Sequence, residues 1–449
     1  MYTSGTTGNP KACMISNDAI LFEAATVMQL NPNIGSDPKE SEHIISYLPL
    51  SHIAGQMVDI FAPLVVTAEL KSSCCLHFAD ANALKGTLGD SLRRYRPTLF
   101  LGVPRVWEKV SEMMKAKAKG NSGIKLKLAT WAKAKGLEKA MSAQLGGSGA
   151  IPPYYGVANA VIFKTVKKAL GLDRCKFAMT GAAPITTDTL QYFGSLGLQI
   201  NEVYGMSESC GATTFSVDAT HKWGSCGFAM PGCEVKVDHS PSRGDAKDNG
   251  ELCYRGRHIM MGYLKDKVKT DEAIDEDGWL HSGDLGKQDK FGMFYITGRI
   301  KELIVSAGGE KYPPIPCEDT MKKNCSGLAN VMMVGDKRKY NVLLVTCKSK
   351  VDATSGVPLQ ELDGDACDVD PKCKTVAEAQ KSKVWAEYIK KGIEKYNSQA
   401  TSNAHKVQYH YILDEDFSVA KGQLTATLKL KRSVCMDMYK KEIDSMYKD

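Results

Sequence analysis

The chain has 449 residues, 43% of them hydrophobic and 24% charged, with a formal net charge of +7. That length can bury the cores of two or three domains, and the ordinary composition excludes a disordered, collagenous or low-complexity protein. The modest positive charge suits anionic small molecules or an anionic membrane surface and is no nucleic-acid footprint. The first element is a loop, Thr3-Ser4-Gly5-Thr6-Thr7-Gly8-Asn9-Pro10-Lys11. It offers hydroxyls, bare backbone N–H groups and one mobile cation, the parts of a polyphosphate cradle. Its glycines let the backbone approach phosphate oxygens closely. The spacing is not that of a P-loop, where Lys directly follows Gly; here Asn9 and Pro10 separate Gly8 from Lys11. Taken alone, the same residues also fit a flexible linker.

Downstream, apolar runs at 43–48, 98–103 and 177–180 end in Pro or Gly turn chemistry. That is the pattern of buried parallel strands with functional loops at their ends. The run 60–68 is far shorter than the ~18 residues of a bilayer span and reads as a core element. Between the strands, a lysine-rich stretch from 109 to 139 carries Ile124, Leu126, Leu128, Trp131 and Leu137. It reads as amphipathic helix, facing either solvent or a membrane surface. From 211 to 298, short β runs punctuated by glycine predict a small twisted β unit. Beyond Arg299 the pattern is mixed α/β, with strand-like runs at 331–334 and 342–345. The acidic stretch 361–370 reads as a surface loop and lacks the terminal Glu of a calcium-binding EF-hand. Fourteen cysteines are scattered without a CxxC pair or a ligand-like His/Cys spacing, which predicts reduced intracellular thiols and argues against a structural zinc site.

Four further motifs follow the loop in order: Tyr204-Gly205-Met206-Ser207-Glu208-Ser209, Gly278-Trp279-Leu280-His281, Lys301-Glu302-Leu303-Ile304 and Leu428-Lys429-Leu430-Lys431-Arg432. With them the sequence resembles the adenylate-forming superfamily of acyl-CoA synthetases, luciferases and peptide-synthetase adenylation domains. The resemblance runs from Tyr2 to Lys431 and is strongest to the bubblegum-type long-chain acyl-CoA synthetases. It implies an α/β fold with a large N-terminal domain, residues 1–300, followed by a small mobile α+β C-terminal domain, residues 301–449. Within the large domain it implies parallel-sheet α/β layers over 1–210 and a β subdomain over 211–300. Family members carry a long segment before the phosphate loop, so the resemblance also implies that the first part of the large domain is missing.

The residues give each implied role a physical reason. Thr3, Ser4, Gly5, Thr6, Thr7, Gly8 and Lys11 would clamp phosphates. Gly181, Ala182 and Ala183 form a small-residue turn that lines the adenine site in the family, and Tyr204, next to Gly205, offers a purine an aromatic face. Ser207 would reach the α-phosphate, and Glu208 supplies a hard oxygen for Mg²⁺. Asp284 can accept from both ribose hydroxyls, with Arg299 beside it. Lys301 falls at the family hinge, where a few residues absorb a large φ/ψ change. Gly308 and Gly309 would leave room for the pantetheine arm. Lys429 matches the lysine that places a point charge at the carboxylate–phosphate junction. His52 would line the meeting of the acyl and pantetheine tunnels, and Trp107 resembles the aromatic gate of long-chain enzymes, with a plain core Trp the alternative. Four positions depart from the usual pattern: Ala12 for Gly, Asn17 for His, Lys311 for Asn and Ala426 for Pro.

The implied activity is ATP-dependent activation of a long-chain fatty acid through an acyl-adenylate, then transfer to CoA, releasing AMP and pyrophosphate. ATP, Mg²⁺ and CoA are the implied cofactors; no nucleic acid and no obligate protein partner are implied. The expected location is intracellular and cytoplasmic, with peripheral contact at the endoplasmic reticulum membrane. Two readings stand beside it: an inactive fragment or nucleotide/CoA-binding protein, and a ligase for medium-chain or aryl acids.

Overall fold

The computed structural model describes residues 1–3, 10–37, 39–120, 122–243, 245, 248–352 and 354–447. The apolar runs of the first half become neighbours in one seven-stranded sheet. Its order is Cys74–Phe78, Glu42–Ser46, Leu99–Leu101, Phe177–Thr180, Ile200–Met206, Gly211–Phe215 and Phe228–Ala229. The first five strands pair in parallel and the last two antiparallel. Alternation along each strand sends Ile44, Leu99 and Phe177 into one core, with Met28 and Val65. Ile45, Phe100 and Ala178 enter the opposite core with Trp107 and Leu190. Helices Asn17–Gln29 and Ala62–Ala68 cover the first face. Leu88–Tyr95, Pro104–Lys119 and Thr187–Gly194 cover the second. Burial on both faces is why these strands read as continuous apolar runs rather than as alternating ones.

Two expectations change here. The β subdomain expected from residue 211 begins later, because Gly211–Phe215 and Phe228–Ala229 are the antiparallel edge of the large sheet. The chain doubles back so tightly after Met206 that a β-carbon on Gly205 would lie 1.7 Å from the Gly211 carbonyl oxygen. The run 60–68 is also only half core: it is helical, with Val65 and Val66 buried but Leu64 57% exposed.

The β subdomain proper is a four-stranded antiparallel sheet in the order Phe294–Arg299, Leu280–Gln288, Gly250–Gly256, Cys233–Asp238. Its core holds Leu252, Tyr254, Leu280 and Phe294. A short ladder between Cys13–Met14 and Gly262–Tyr263 ties the segment after the N-terminal loop to this subdomain.

The C-terminal part is α+β. Leu328–Val334 pairs antiparallel with Asn341–Cys347, which pairs in parallel with Val407–Ile412. Leu343 and Val345 face one core, with Trp385 and Ile389 of helix Lys383–Asn397. Val342 and Leu344 face the other, with Cys435 and Ile443 of the last two helices. The acidic stretch 361–370 is not a plain loop: it takes in the end of strand Pro358–Leu362 and the short helix Ala366–Val369. Among the described residues, no helix is long and apolar enough to cross a membrane.

Candidate functional site

A cavity of about 1340 Å³ opens where the parallel strands end. Leu48, Val103, Gly181, Ala182 and Ser207, each just past the carboxyl end of a strand, form its floor. That is where open α/β sheets bind ligands. Ala182 sits at φ +72°, a left-handed conformation that non-glycine residues adopt at a cost and that clusters at functional turns.

Asp284 lies deep on one wall, 4% exposed. Its Oδ2 accepts the Tyr204 hydroxyl at 2.8 Å, and the Arg299 Nε lies 3.0 Å from its Oδ1. The Asp284–Arg299 pair is set by backbone register, since the two residues are directly opposed in the antiparallel ladder. The Tyr254 hydroxyl closes against that of Tyr204 and completes the group. Burial pushes the Asp284 carboxyl up, and the Arg299 guanidinium opposes that shift.

Opposite stands Glu208, also buried. Its Oε1 accepts the Tyr263 hydroxyl at 2.8 Å, and Lys11 Nζ rests 3.8 Å over the same tyrosine ring. Burial lowers the Lys11 ammonium, with the Glu208 carboxylate pulling it back. Thr3 N–H and Lys11 O are bonded at 2.8 Å, and Lys11 N–H donates to Thr3 Oγ1 at 2.9 Å, so the two ends of the N-terminal loop are clasped together. Ser4, Gly5, Thr6, Thr7 and Gly8 lie outside the described residues.

From the C-terminal part a tight turn delivers Lys429. Thr425 accepts Leu428 N–H on its carbonyl and Lys429 N–H on its hydroxyl, and Leu428 is held at φ +62°. Burial, with the Arg299 guanidinium nearby, pushes the Lys429 ammonium down to about 8. Arg432 anchors the segment by a bidentate pair to Glu318 at 2.7 and 2.6 Å and a bond to Glu302 at 3.0 Å. Lys301, next to Glu302, lines the same cavity.

His52 faces Lys429 across the cavity, and burial then that charge push its imidazole down to about 4. Ala54 N–H donates to His52 Nδ1 at 3.2 Å, which places the neutral ring's proton on Nε2. Past His52 the cavity becomes apolar, lined by Val27, Met28, Met57 and Val58.

A second cavity of about 480 Å³ shares Asp284, Arg299 and Lys429 with the first and holds Ala183, Tyr204 and Gly205. Sequence reasoning missed a carboxyl here: Glu202 is pushed up to about 8 by burial and accepts Gly224 N–H at 3.0 Å. It missed Tyr254 and Tyr263 too, because only backbone pairing brings them to Asp284 and Glu208.

Two expected positions lie elsewhere. Trp107 lines neither cavity. It is fully buried in the core behind the sheet, edge-on to Phe100 and Phe193, and its indole N–H donates to the Met179 carbonyl at 3.1 Å. The acyl-gate assignment is therefore replaced by the core one. Gly308 and Gly309 form the turn between Ile304–Val305 and Lys311–Tyr312 and also line neither cavity.

Residues 1–264 match the AMP-binding enzyme family, and residues 301–362 match the AMP-binding enzyme C-terminal domain. The chain is similar to long-chain-fatty-acid–CoA ligase ACSBG2 of Xenopus laevis, 47% identical over 100% of this chain and 60% of the relative. It is similar to human ACSBG2 at 41% identity, over 100% and 66%, and to rat ACSBG1 at 39%, over 100% and 61%. The chain thus spans about three-fifths of the length of these curated relatives. Among solved structures, the adenylation domain of a Mycobacterium chelonae carboxylate reductase superposes with a TM-score of 0.70 at 20% identity, over 100% of this chain and 59% of that one. ATP-bound MatB of Rhodopseudomonas palustris gives 0.62 at 18% identity, over 98% and 67%.

Proposed function

The chain belongs to the AMP-binding enzyme family, and from that premise we propose that it activates a long-chain fatty acid as its adenylate and passes the acyl group to CoA. The observation that carries the proposal is one cavity that joins a polar end, Lys11, Glu208, Asp284 and Lys429, to an apolar end, Met28 and Met57. A fatty-acid carboxylate oxygen attacks the α-phosphorus of ATP, the α–β bridge bond breaks, and pyrophosphate leaves. The CoA sulfur then attacks the acyl carbon of the mixed anhydride, AMP leaves, and the thiol proton is lost to solvent. Positioning and charge placement supply the catalysis.

In this reading Asp284 accepts the ribose hydroxyls and Arg299 holds Asp284. Glu202, protonated at neutral pH, can both donate to and accept from the edge of an adenine lying on Tyr204. Ser207 and Lys11 hold phosphate oxygens, and Lys429 brings its ammonium to the reacting carboxylate. Glu208, one oxygen tied to Tyr263, would hold a Mg²⁺ through its other oxygen; such an ion would neutralise phosphate charge. The test is fatty-acid-dependent exchange of labelled pyrophosphate into ATP by the full chain. Exchange driven better by aryl than by long-chain acids would reassign the substrate, and none at all would leave a nucleotide-binding protein.

We assign residues 301–449 to a unit that swings about Lys301 between the two half-reactions. The arrangement with Lys429 in the cavity is tied to the large domain by Lys348–Glu112 at 2.8 Å, Lys323–Asp188 at 3.3 Å and Arg105–Asp416 at 3.9 Å. Rotation would break these ties and bring Gly308 and Gly309 to the pantetheine arm. Lys348→Ala removes the nearest of three cations around the partly buried Glu112, with Arg105 and Lys109 remaining at 3.7 Å, so kcat/KM for adenylation is expected to fall roughly threefold. Thioester formation from supplied acyl-adenylate should not fall with it; rapid-quench measurement of each half-reaction checks this.

A lipid substrate makes the membrane the expected partner, with the cytoplasmic face of the endoplasmic reticulum as the proposed location. Helix Gly123–Ala143 exposes Ile124 (85%), Leu126 and Leu128, and the adjoining segment exposes Ile151, Tyr154 and Val161. Lys125 and Lys127 are interleaved with them and exposed. Sedimentation with anionic vesicles is expected to weaken roughly fivefold for each of these lysines changed to Gln. Binding indifferent to them and to Ile124→Glu would place the contact elsewhere.

A further inference from the structure

We propose that Cys253, His281 and Glu251 form a binding site for a borderline-soft divalent cation of the Zn²⁺ class. No local spacing reveals it, because the β subdomain's pairing assembles it. Cys253 and His281 are directly opposed in the ladder between Gly250–Gly256 and Leu280–Gln288. Glu251 lies two residues before Cys253, on the same strand face. The register shifts between Glu251 and Cys253, where Ser282, Gly283 and Asp284 bulge from the opposing strand. That bulge folds Glu251 back towards His281.

The donor atoms converge. His281 Nδ1 is 3.2 Å from Glu251 Oε2 and 3.5 Å from Cys253 Sγ, and the three lie within 4.8 Å of one another. A cation about 2.0–2.3 Å from N, O and S ligands has tetrahedral edges of about 3.3–3.8 Å, so little movement is needed. The surroundings have the form of a supported metal site. Glu251 Oε1 is occupied by Gly283 N–H at 2.8 Å, which leaves Oε2 for the ion. His281 Nε2 lies 3.4 Å from Asp275 Oδ2, the carboxylate–histidine arrangement that orients a metal-bound imidazole.

Charge and donor type set the selectivity. Arg243 Nη1 lies 3.4 Å from Glu251 Oε2 and opposes any cation, although Asp245 neutralises much of its charge through contacts at 2.8–3.1 Å. A hard ion such as Mg²⁺ or Ca²⁺, which wants oxygen ligands, gains nothing from a thiol and an imidazole. An ion that converts Cys253 to its thiolate gains a strong ligand and can displace the arginine. The thiol proton leaves to solvent on binding. Glu251 and His281 also line the main cavity, so the fourth position opens towards the turn that carries Asp284.

The test uses the full chain, stripped with chelator and titrated with Co²⁺ as the spectroscopic stand-in. One equivalent is expected to produce a thiolate-to-cobalt charge-transfer band that excess Mg²⁺ does not remove. Cys253→Ser should abolish the band, and Asp275→Asn should keep it while weakening affinity about 10–100-fold. Cys75→Ser and Cys367→Ser, at exposed cysteines, should change nothing. His281→Gln, at a partly exposed position, gives an independent reading if Cys253→Ser folds poorly; it should weaken binding at least tenfold. No band in the unaltered chain, a band that survives in Cys253→Ser or vanishes in Cys75→Ser, or unchanged affinity in His281→Gln would overturn the site. None of these readouts requires ligase turnover, so they stand or fall separately from the proposed activity.

Discussion

Replacing Lys429 with Ala is expected to lower fatty-acid-dependent ATP–pyrophosphate exchange by about 10²–10³-fold, the cost of removing one preorganised charge from a developing anion. Thioester formation from supplied acyl-adenylate should persist, because the proposed rotation would withdraw this lysine. The pH dependence sharpens the expectation. The Lys429 ammonium is held near 8 by burial and by Arg299, against an ordinary 10.5. If adenylation needs the charged form, kcat/KM should be level below about 8 and fall with rising pH above it. Lys429→Arg stays charged and should flatten that limb even if it is slower. Stability moves the opposite way: between 8 and 10.5 the unfolded chain binds the proton that the folded chain has lost, so this residue's penalty shrinks as pH rises. An unchanged alkaline limb in Lys429→Arg would remove Lys429 from the pH profile. Undiminished exchange in Lys429→Ala would remove it from the chemistry.

The parts of this site that were legible in the sequence are those whose partners lie within one motif or one register step. Phe177–Thr180 reads directly as a buried strand because all four residues are apolar or small and both faces are covered. Asp284 and Arg299 each follow a glycine in a recognisable motif, and the ladder opposes them. The illegible parts depend on which face or which strand a residue meets. Tyr263 reaches Glu208 through the short ladder with Cys13–Met14 and the Met260 N–H bond to the Glu208 carbonyl, and nothing at position 263 announces it. Glycine texture placed 211–229 with the β subdomain, but pairing to Ile200–Met206 decides its sheet. Cys253 and His281 are invisible as a pair for the same reason. Parity explains Trp107 as well: a motif fixes neither the face of the sheet that the following helix packs on nor the side of that helix that a given residue occupies.

Trp107→Ala is therefore expected to act on stability and not on acyl-chain choice. The side chain is fully buried between Phe100 and Phe193, with ring centroids at 5.2 and 5.0 Å and near-perpendicular planes. A β-carbon on Gly102 would meet its Nε1 at 2.6 Å, so the pocket is filled to contact and has little slack to collapse into the hole. Truncating such an aromatic removes its transfer energy and leaves a cavity, about 3–5 kcal/mol together. Trp107→Phe keeps most of the volume and loses the indole N–H bond to the Met179 carbonyl at 3.1 Å, which still accepts Gly102 N–H at 2.9 Å, a cost of about 0.5–1.5 kcal/mol. Denaturant midpoints should rank the unaltered chain above Trp107→Phe above Trp107→Ala, while relative exchange rates across a series of fatty-acid chain lengths stay constant. A gate behaves in the reverse manner, because truncating it widens the accepted range with little loss of stability. Broadened chain-length use with an unchanged midpoint would return Trp107 to the acyl tunnel, and the sheet face that carries the tunnel would have to be reassigned with it.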